Sequence, residues 1–205
     1  MAKDINASGS KVGLVLSGGG ARAAYQAGVL KAVAELLPPE TSDPFPIICG
    51  TSAGAINALA IAGCHGSENQ RTFQSRIKKI ESIWCGLEAN NIYRSDLLGV
   101  LKNTLMMFFS IFNKNYTQKK PKALLDNTPL RRLLNELIDF EAINESINNK
   151  RITAVSITAV SYSDGKSVTF YDGEATLQPW VRSRRIGIRS KLTIDHIMAS
   201  TAIPV

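Results

Sequence analysis

At 205 residues, with 44% hydrophobic and 20% charged side chains, the chain has the size and composition of one globular domain, which excludes disordered, collagen-like and coiled-coil classes. Lys and Arg (24) outnumber Asp and Glu (17), and the net charge of +7 favours an anionic partner without choosing among acidic lipid surfaces, nucleic acid and phosphorylated substrates. Cys49, Cys64 and Cys85 are odd in number and form no C-x-x-C pair, so they read as free thiols in a reducing compartment. Residues 1–10 read as a flexible N-terminus without the apolar run of a Sec signal peptide. The longest apolar run, Leu105–Phe112, falls far short of the ~20 residues of a transmembrane helix. A cytoplasmic or peripheral membrane location is expected.

Val12–Ser17 is a short apolar run ending in glycines, which predicts a strand buried on both faces of a parallel or mixed sheet. From Ala21 to Leu37 the residues Tyr25, Val29, Val33 and Leu36 recur at helical spacing, and Pro38-Pro39 ends the helix. A second strand-loop-helix unit follows, with Phe45–Cys49 as strand, Gly50–Gly54 as turn and Ala55–Ala62 as a helix of small apolar residues. Two such units in succession suggest an α/β sandwich. Residues 64–150 read as mainly helical, with a basic stretch at 71–79, a Lys-rich loop at 114–122 and an amphipathic helix Pro129–Phe140 capped by Thr128. Strand character returns over Arg151–Tyr162, Asp164-Gly165 signals a hairpin, and Val168–Tyr171 is the returning strand.

The chemistry concentrates in the two glycine turns. Gly50-Thr51-Ser52-Ala53-Gly54 is a G-x-S-x-G sequence between a predicted strand and a predicted helix, where a tight turn needs small residues two before and two after the serine. Ser52 then points its hydroxyl out of the sheet edge, and the amide of Ala53 lies at a helix N-terminus, where the dipole favours a developing oxyanion. The plain alternative is a turn in which Ser52 merely caps the helix. Ser17-Gly18-Gly19-Gly20-Ala21-Arg22 supplies consecutive backbone N–H groups at another helix start, the means of building an oxyanion or phosphate pocket. Gly18-x-Gly20-x-x-Ala23 also fits a loose dinucleotide fingerprint, but the acid required at the end of the second strand is missing, since that strand runs into Gly50-Thr51-Ser52.

These motifs resemble those of the patatin-like phospholipases: Gly18–Arg22 for the oxyanion loop, Gly50–Gly54 for the nucleophile elbow, and Met198-Ala199-Ser200-Thr201-Ala202-Ile203-Pro204 near the end. The resemblance covers about Lys11 to Val205, with 64–150 matching the variable region. It implies a three-layer α/β/α sandwich with a mainly parallel central sheet, spanning an acyl hydrolase domain over 11–205. It further implies cleavage of acyl esters of phospholipids, lysophospholipids or other lipids by a Ser-Asp dyad with no metal or cofactor. Ser52 would be the nucleophile, Gly18, Gly19, Gly20 and Ala53 the oxyanion hole, Gly50 and Gly54 the elbow, and Arg22 a support of the oxyanion loop.

The histidines agree with a dyad that lacks one: His65 reads as a surface residue and His196 as a structural residue at a helix start. The family's dyad aspartate belongs to an Asp-Gly-Gly or Asp-Gly-Ala motif after the Ala-Ser-x-Ala-Ile-Pro segment, and none follows here. It is expected beyond Val205, which makes this chain an incomplete domain, inactive alone. Asp164 and Asp172 precede that segment and read as turn residues. Residues 105–122 join an apolar run to a basic collar suited to transient membrane contact, or else form a core helix and a solvated loop. Arg182, Arg184, Arg185, Arg189 and Lys191 form a further basic cluster, with no nucleic-acid motif. A lipid acyl hydrolase is the leading reading, an inactive lipid-binding or regulatory module the second, and a nucleotide-binding enzyme a distant third; oligomeric state is not legible.

Overall fold

The computed structural model describes residues 11–63, 72–86 and 128–202. Strand β1 (Gly13–Leu16) leads through a single 3-10 turn (Gly20–Arg22) into α1 (Ala23–Leu36), and β2 (Ile47–Thr51) leads through Ser52 into α2 (Ala53–Gly63). Helices α3 (Phe73–Gly86), α4 (Thr128–Leu137) and α5 (Phe140–Asn148) precede β3 (Ala154–Val160), β4 (Ser167–Gly173), β5 (Trp180–Arg182), β6 (Arg185–Arg189) and α6 (Ile194–Thr201). The strands form one six-stranded sheet in the order β1-β2-β3-β4-β6-β5. β1, β2 and β3 run parallel, β4 is antiparallel to β3, β6 is parallel to β4, and β5 is antiparallel to β6. This is an α/β fold with a mainly parallel sheet flanked by helices.

Helix α2 is the centre of the core. Of its residues only Ile56 escapes full burial, and its many Ala and Gly residues let it lie close against β2 and β3 while α1, α3 and α5 pack around it. A helix apolar on all sides belongs in such a place. Leu16, Ile48, Val155 and Ile157 supply the sheet side of that core. Arg76 of α3 crosses it to donate to the Ile61 carbonyl at 2.9 Å and to pair with Asp43 at 2.9 Å, both side chains being buried.

Several expectations change in detail. α1 has the expected helical period but turns another face inward: Ala23, Ala27, Leu30 and Ala34 are buried, while Tyr25 and Leu36 are 77% and 86% exposed. The small side chains allow the close approach to α2 and α3 that the bulkier stripe would prevent. β1 is buried on one face only, since Val15 is 77% exposed. Leu16, on the other face, packs with Ile48, Val155 and Ile157 against the helices of the core. The helix expected over 129–140 ends at Leu137, and a second helix follows from Phe140, where the Asp139 carboxylate accepts from the amides of Glu141 and Ala142 and starts α5. β5 and β6 had no expected counterpart.

Residues 1–10, Cys64, His65, the run 105–112 with its lysine loop at 114–122, and Pro204 lie outside the described residues. Among the described residues no helix is long and apolar enough to cross a membrane.

Candidate active site

Ser52 is the residue between β2 and α2, and its φ of 53° puts a non-glycine residue in the left-handed region. Such a conformation costs on the order of 1–3 kcal/mol and persists only where the surroundings hold it. The surroundings are visible. The Ser52 amide donates to Ser200 Oγ at 2.8 Å, and Ser200 Oγ donates to the Thr158 carbonyl at 2.6 Å, so one hydroxyl on α6 ties the turn to the end of β3. The Ser52 carbonyl accepts from the amide of Ala55 at 2.8 Å, opening α2.

The two flanking glycines are steric necessities. A Cβ on Gly50 would meet Ala55 Cα at 2.5 Å, and one on Gly54 would fall on the Leu16 carbonyl and lie 2.5 Å from the Ser17 carbonyl. The start of α2 is therefore pressed directly on the end of β1, which brings the Gly18–Gly20 loop beside Ser52. A Cβ on Gly18 would stand 3.1 Å from Ser52 Cβ and 3.9 Å from Ser52 Oγ. Gly20 takes φ +56°, a conformation open to glycine at little cost, and the amide of Arg22 donates to the Gly19 carbonyl at 3.1 Å. The Arg22 side chain is exposed.

A cavity of about 470 Å3 opens at Ser52, Ala53, Gly20 and Ala21 and is walled by apolar side chains that include Ile56, Ile80, Ile83, Trp84, Leu133 and Leu137. Asn57, one of few polar residues on its wall, is already engaged. It accepts from Trp84 Nε1 at 2.8 Å and donates to the Ala23 carbonyl at 3.1 Å and to Gln26 Oε1 at 3.1 Å. Gln26 Nε2 in turn donates to the Ser17 carbonyl at 2.7 Å, next to Gly18. One chain of hydrogen bonds thus joins the cavity wall to the glycine loop, and it leaves the cavity with an apolar interior and a polar mouth.

The acids are elsewhere. Asp172 pairs in register with Val155, at the end of the sheet opposite Ser52, and its carboxylate accepts from the Gly173 amide. Asp164 lies on the β3–β4 turn, where Lys166 donates to its carboxylate and, with Ser161, holds the carboxyl down at about 2. Among the described residues the Ser52 hydroxyl has no hydrogen-bond partner. His196 is part of a helix cap: its Nδ1 accepts from the Thr193 amide at 3.0 Å, and its ring lies against Phe170 at 4.4 Å between centroids. Burial of the ring moves its pKa below the ordinary 6.5, with Asp195 opposing the shift.

The structure therefore brings Ser52, Ala53, Gly50, Gly54 and Gly18–Gly20 to one place. It adds Ser200, Thr158, Asn57 and Gln26, which have no assigned role in the sequence reading. Asn57 leaves a trace there, as the lone polar residue within an Ala-rich helix. Ser200 sits inside the third shared motif, but its contact with Ser52 crosses 148 positions.

A serine in the left-handed region on a strand-to-helix turn, faced by a glycine loop and opening on an apolar cavity, is the candidate site of this α/β fold. The family model of the patatin-like phospholipases matches residues 14–205, and the chain belongs to that family. A comparison with curated proteins gives no match. Among solved structures the chain is similar to one in the heterodimeric ExoU–SpcU complex from the type III secretion system of Pseudomonas aeruginosa, with 20% identity and a TM-score of 0.37. That similarity covers 78% of this chain and 32% of the other, so the chain spans about a third of the length of the structure it matches.

Proposed function

We propose that the protein is a serine acyl hydrolase that cleaves a lipid ester with Ser52 as nucleophile. The observation that carries this reading is the placement of Ser52, in its left-handed backbone conformation, between the Gly18 loop and the mouth of the apolar cavity. The acyl chain enters the cavity, and its ester carbonyl rests at the mouth. Ser52 Oγ attacks the carbonyl carbon and gives its proton to a carboxylate, and the amides of the Gly18–Gly20 loop and of Ala53 receive the oxyanion. Collapse breaks the bond to the alcohol, which leaves with the proton, and water then releases the fatty acid from Ser52 by the same steps. Among the described residues no carboxylate is hydrogen-bonded to the Ser52 hydroxyl, with Asp172 at the other end of the sheet and Asp164 paired with Lys166, so this reading takes the carboxylate to be the dyad aspartate that the family resemblance implies, outside the described residues.

The test is covalent labelling of Ser52 by a long-chain alkyl fluorophosphonate, read by mass spectrometry, together with hydrolysis of a lysophospholipid. Both should vanish in Ser52→Ala with the circular dichroism spectrum unchanged, and hydrolysis should survive chelators. Labelling elsewhere, or full hydrolysis by folded Ser52→Ala, would refute the assignment. The lone Ser52 hydroxyl also favours a second reading, a lipid-binding module without turnover; saturable fatty-acid binding with no Ser52 labelling would establish it.

A further inference from the structure

The β5–β6 hairpin carries three arginines in positions that cost it local stability. Register places Arg182 directly opposite Arg185, and like charges so opposed weaken a strand pair. Arg184, in the two-residue turn between them, takes φ 57°, where Gly, Asn or Asp is favoured. All three are exposed, and none makes an ion pair among the described residues; Arg182 lies over the Trp180 ring at 5.8 Å. Asp164, on the neighbouring turn, is taken by Lys166 at 2.8 Å.

The sheet decides where this charge points. Thr51 pairs with Thr158, Val160 with Ser167, and Ser167 with Arg185, so the hairpin tip lies at the same end of the sheet as Ser52. Three strand spacings separate β2 from β6, roughly 14 Å at the usual ~4.8 Å per strand. The sequence cluster is thereby divided. Arg189 pairs with Tyr171 near the opposite end and donates to the carbonyls of Gly173, Ala175 and Leu177, and Lys191 follows it there. This end of the sheet also carries exposed apolar side chains: Val160 at 58% shares a face with Arg182 and Arg185, Val181 at 80% lies on the other face, and Tyr162 at 60% is on the β3–β4 turn. Cations mixed with apolar groups suit the surface of a bilayer better than a purely polar polyanion.

We infer that Arg182, Arg184 and Arg185 dock this end of the protein on an anionic phospholipid bilayer, which presents the mouth of the Ser52 cavity to the lipid. The inference rests on the lipid hydrolase reading for its purpose, but its test does not need turnover. β5 is an edge strand, and charge there also deters edge-to-edge pairing; that role is served by either sign, whereas docking needs positive charge.

The experiment uses the full chain carrying Ser52→Ala, sedimented with vesicles of phosphatidylcholine alone or of phosphatidylcholine with phosphatidylglycerol. Partitioning should require phosphatidylglycerol and weaken with salt. A cation at such a surface is worth about fivefold, so Arg182→Glu with Arg185→Glu should cut partitioning on the order of 25-fold or more. Lys150→Glu with Lys191→Glu makes the same charge change at the opposite end of the sheet and should cost far less. Should the reversal fail to fold, Arg182→Gln with Arg185→Gln is expected to show the same order, and quenching of Trp180 by brominated lipid in Trp84→Phe reads the hairpin directly. Equal losses in the two double variants, indifference to phosphatidylglycerol, or loss of duplex DNA binding in place of vesicle binding would overturn the inference. Vesicle binding without Ser52 labelling removes the hydrolase reading alone; labelling without vesicle binding removes the docking alone.

Discussion

Ser200→Ala tests the link between the third motif and the serine turn. The change removes the acceptor of the Ser52 amide and the donor to the Thr158 carbonyl, two bonds of 2.8 and 2.6 Å through one hydroxyl. A part-buried amide left unpaired costs about 1–3 kcal/mol, which sets the expected loss of folding stability in urea denaturation. The functional effect comes from the backbone. Ser52 holds φ 53° against a cost of about 1–3 kcal/mol, and a turn freed of its tie relaxes toward an ordinary conformation that aims the hydroxyl away from the Gly18 loop. If one to two kcal/mol of that strain is released, the competent population falls by roughly 5–30-fold. The rate of fluorophosphonate labelling should fall by that factor, with little change in the affinity of the reagent, because the cavity does not include Ser200. Ser200→Thr keeps the hydroxyl and should recover most of the rate. A folded Ser200→Ala protein that is labelled at the wild-type rate would refute the claim that Ser200 positions Ser52.

The two loop glycines should separate. Gly18→Ala sets a methyl 3.1 Å from Ser52 Cβ and should lower labelling on the order of 10²-fold, comparable with loss of an oxyanion donor, while Gly19→Ala meets only the Arg22 side chain at 3.3 Å and should cost much less. Equal effects in the labelling assay would contradict that geometry. Asp43→Ala leaves Arg76 as a buried cation without its carboxylate and should destabilise the fold by about 3–5 kcal/mol in chemical denaturation, with the fold lost outright if the margin is small. His196 is neutral in the fold because Nδ1 must accept the Thr193 amide, and its pKa lies below 6.5. Its contribution is complete above 6.5 and is lost as pH falls from there through the lower folded value, so thermal stability should drop with acidification in that window. His196→Gln, whose side chain can accept the same amide, should flatten this dependence.

The sequence by itself determined the local chemistry of this protein. Gly50, Ser52 and Gly54 on a strand-to-helix turn, and Gly18–Gly20 after the first strand, follow from residue size and backbone freedom within a few positions, and the structure keeps both turns at the expected places. The order of the first two strand-helix units and the helical period of α1 are local in the same sense. What the tertiary structure decided is every question of which side and which neighbour. Periodicity marks Tyr25, Val29, Val33 and Leu36 as one stripe, yet α1 buries Ala23, Ala27, Leu30 and Ala34, the face it turns to α3 and α2, where three alanines let the helices approach closely around Leu30. The basic cluster 182–191 is continuous in the chain, but strand direction sends Arg182, Arg184 and Arg185 to the Ser52 end and Arg189 and Lys191 to the other. Ser200 reaches Ser52, and Asn57 reaches Gln26, only after β3, α1, α2 and α6 have packed. Such contacts depend on the sum of many weak packing terms across distant segments, and no window of neighbouring residues contains them.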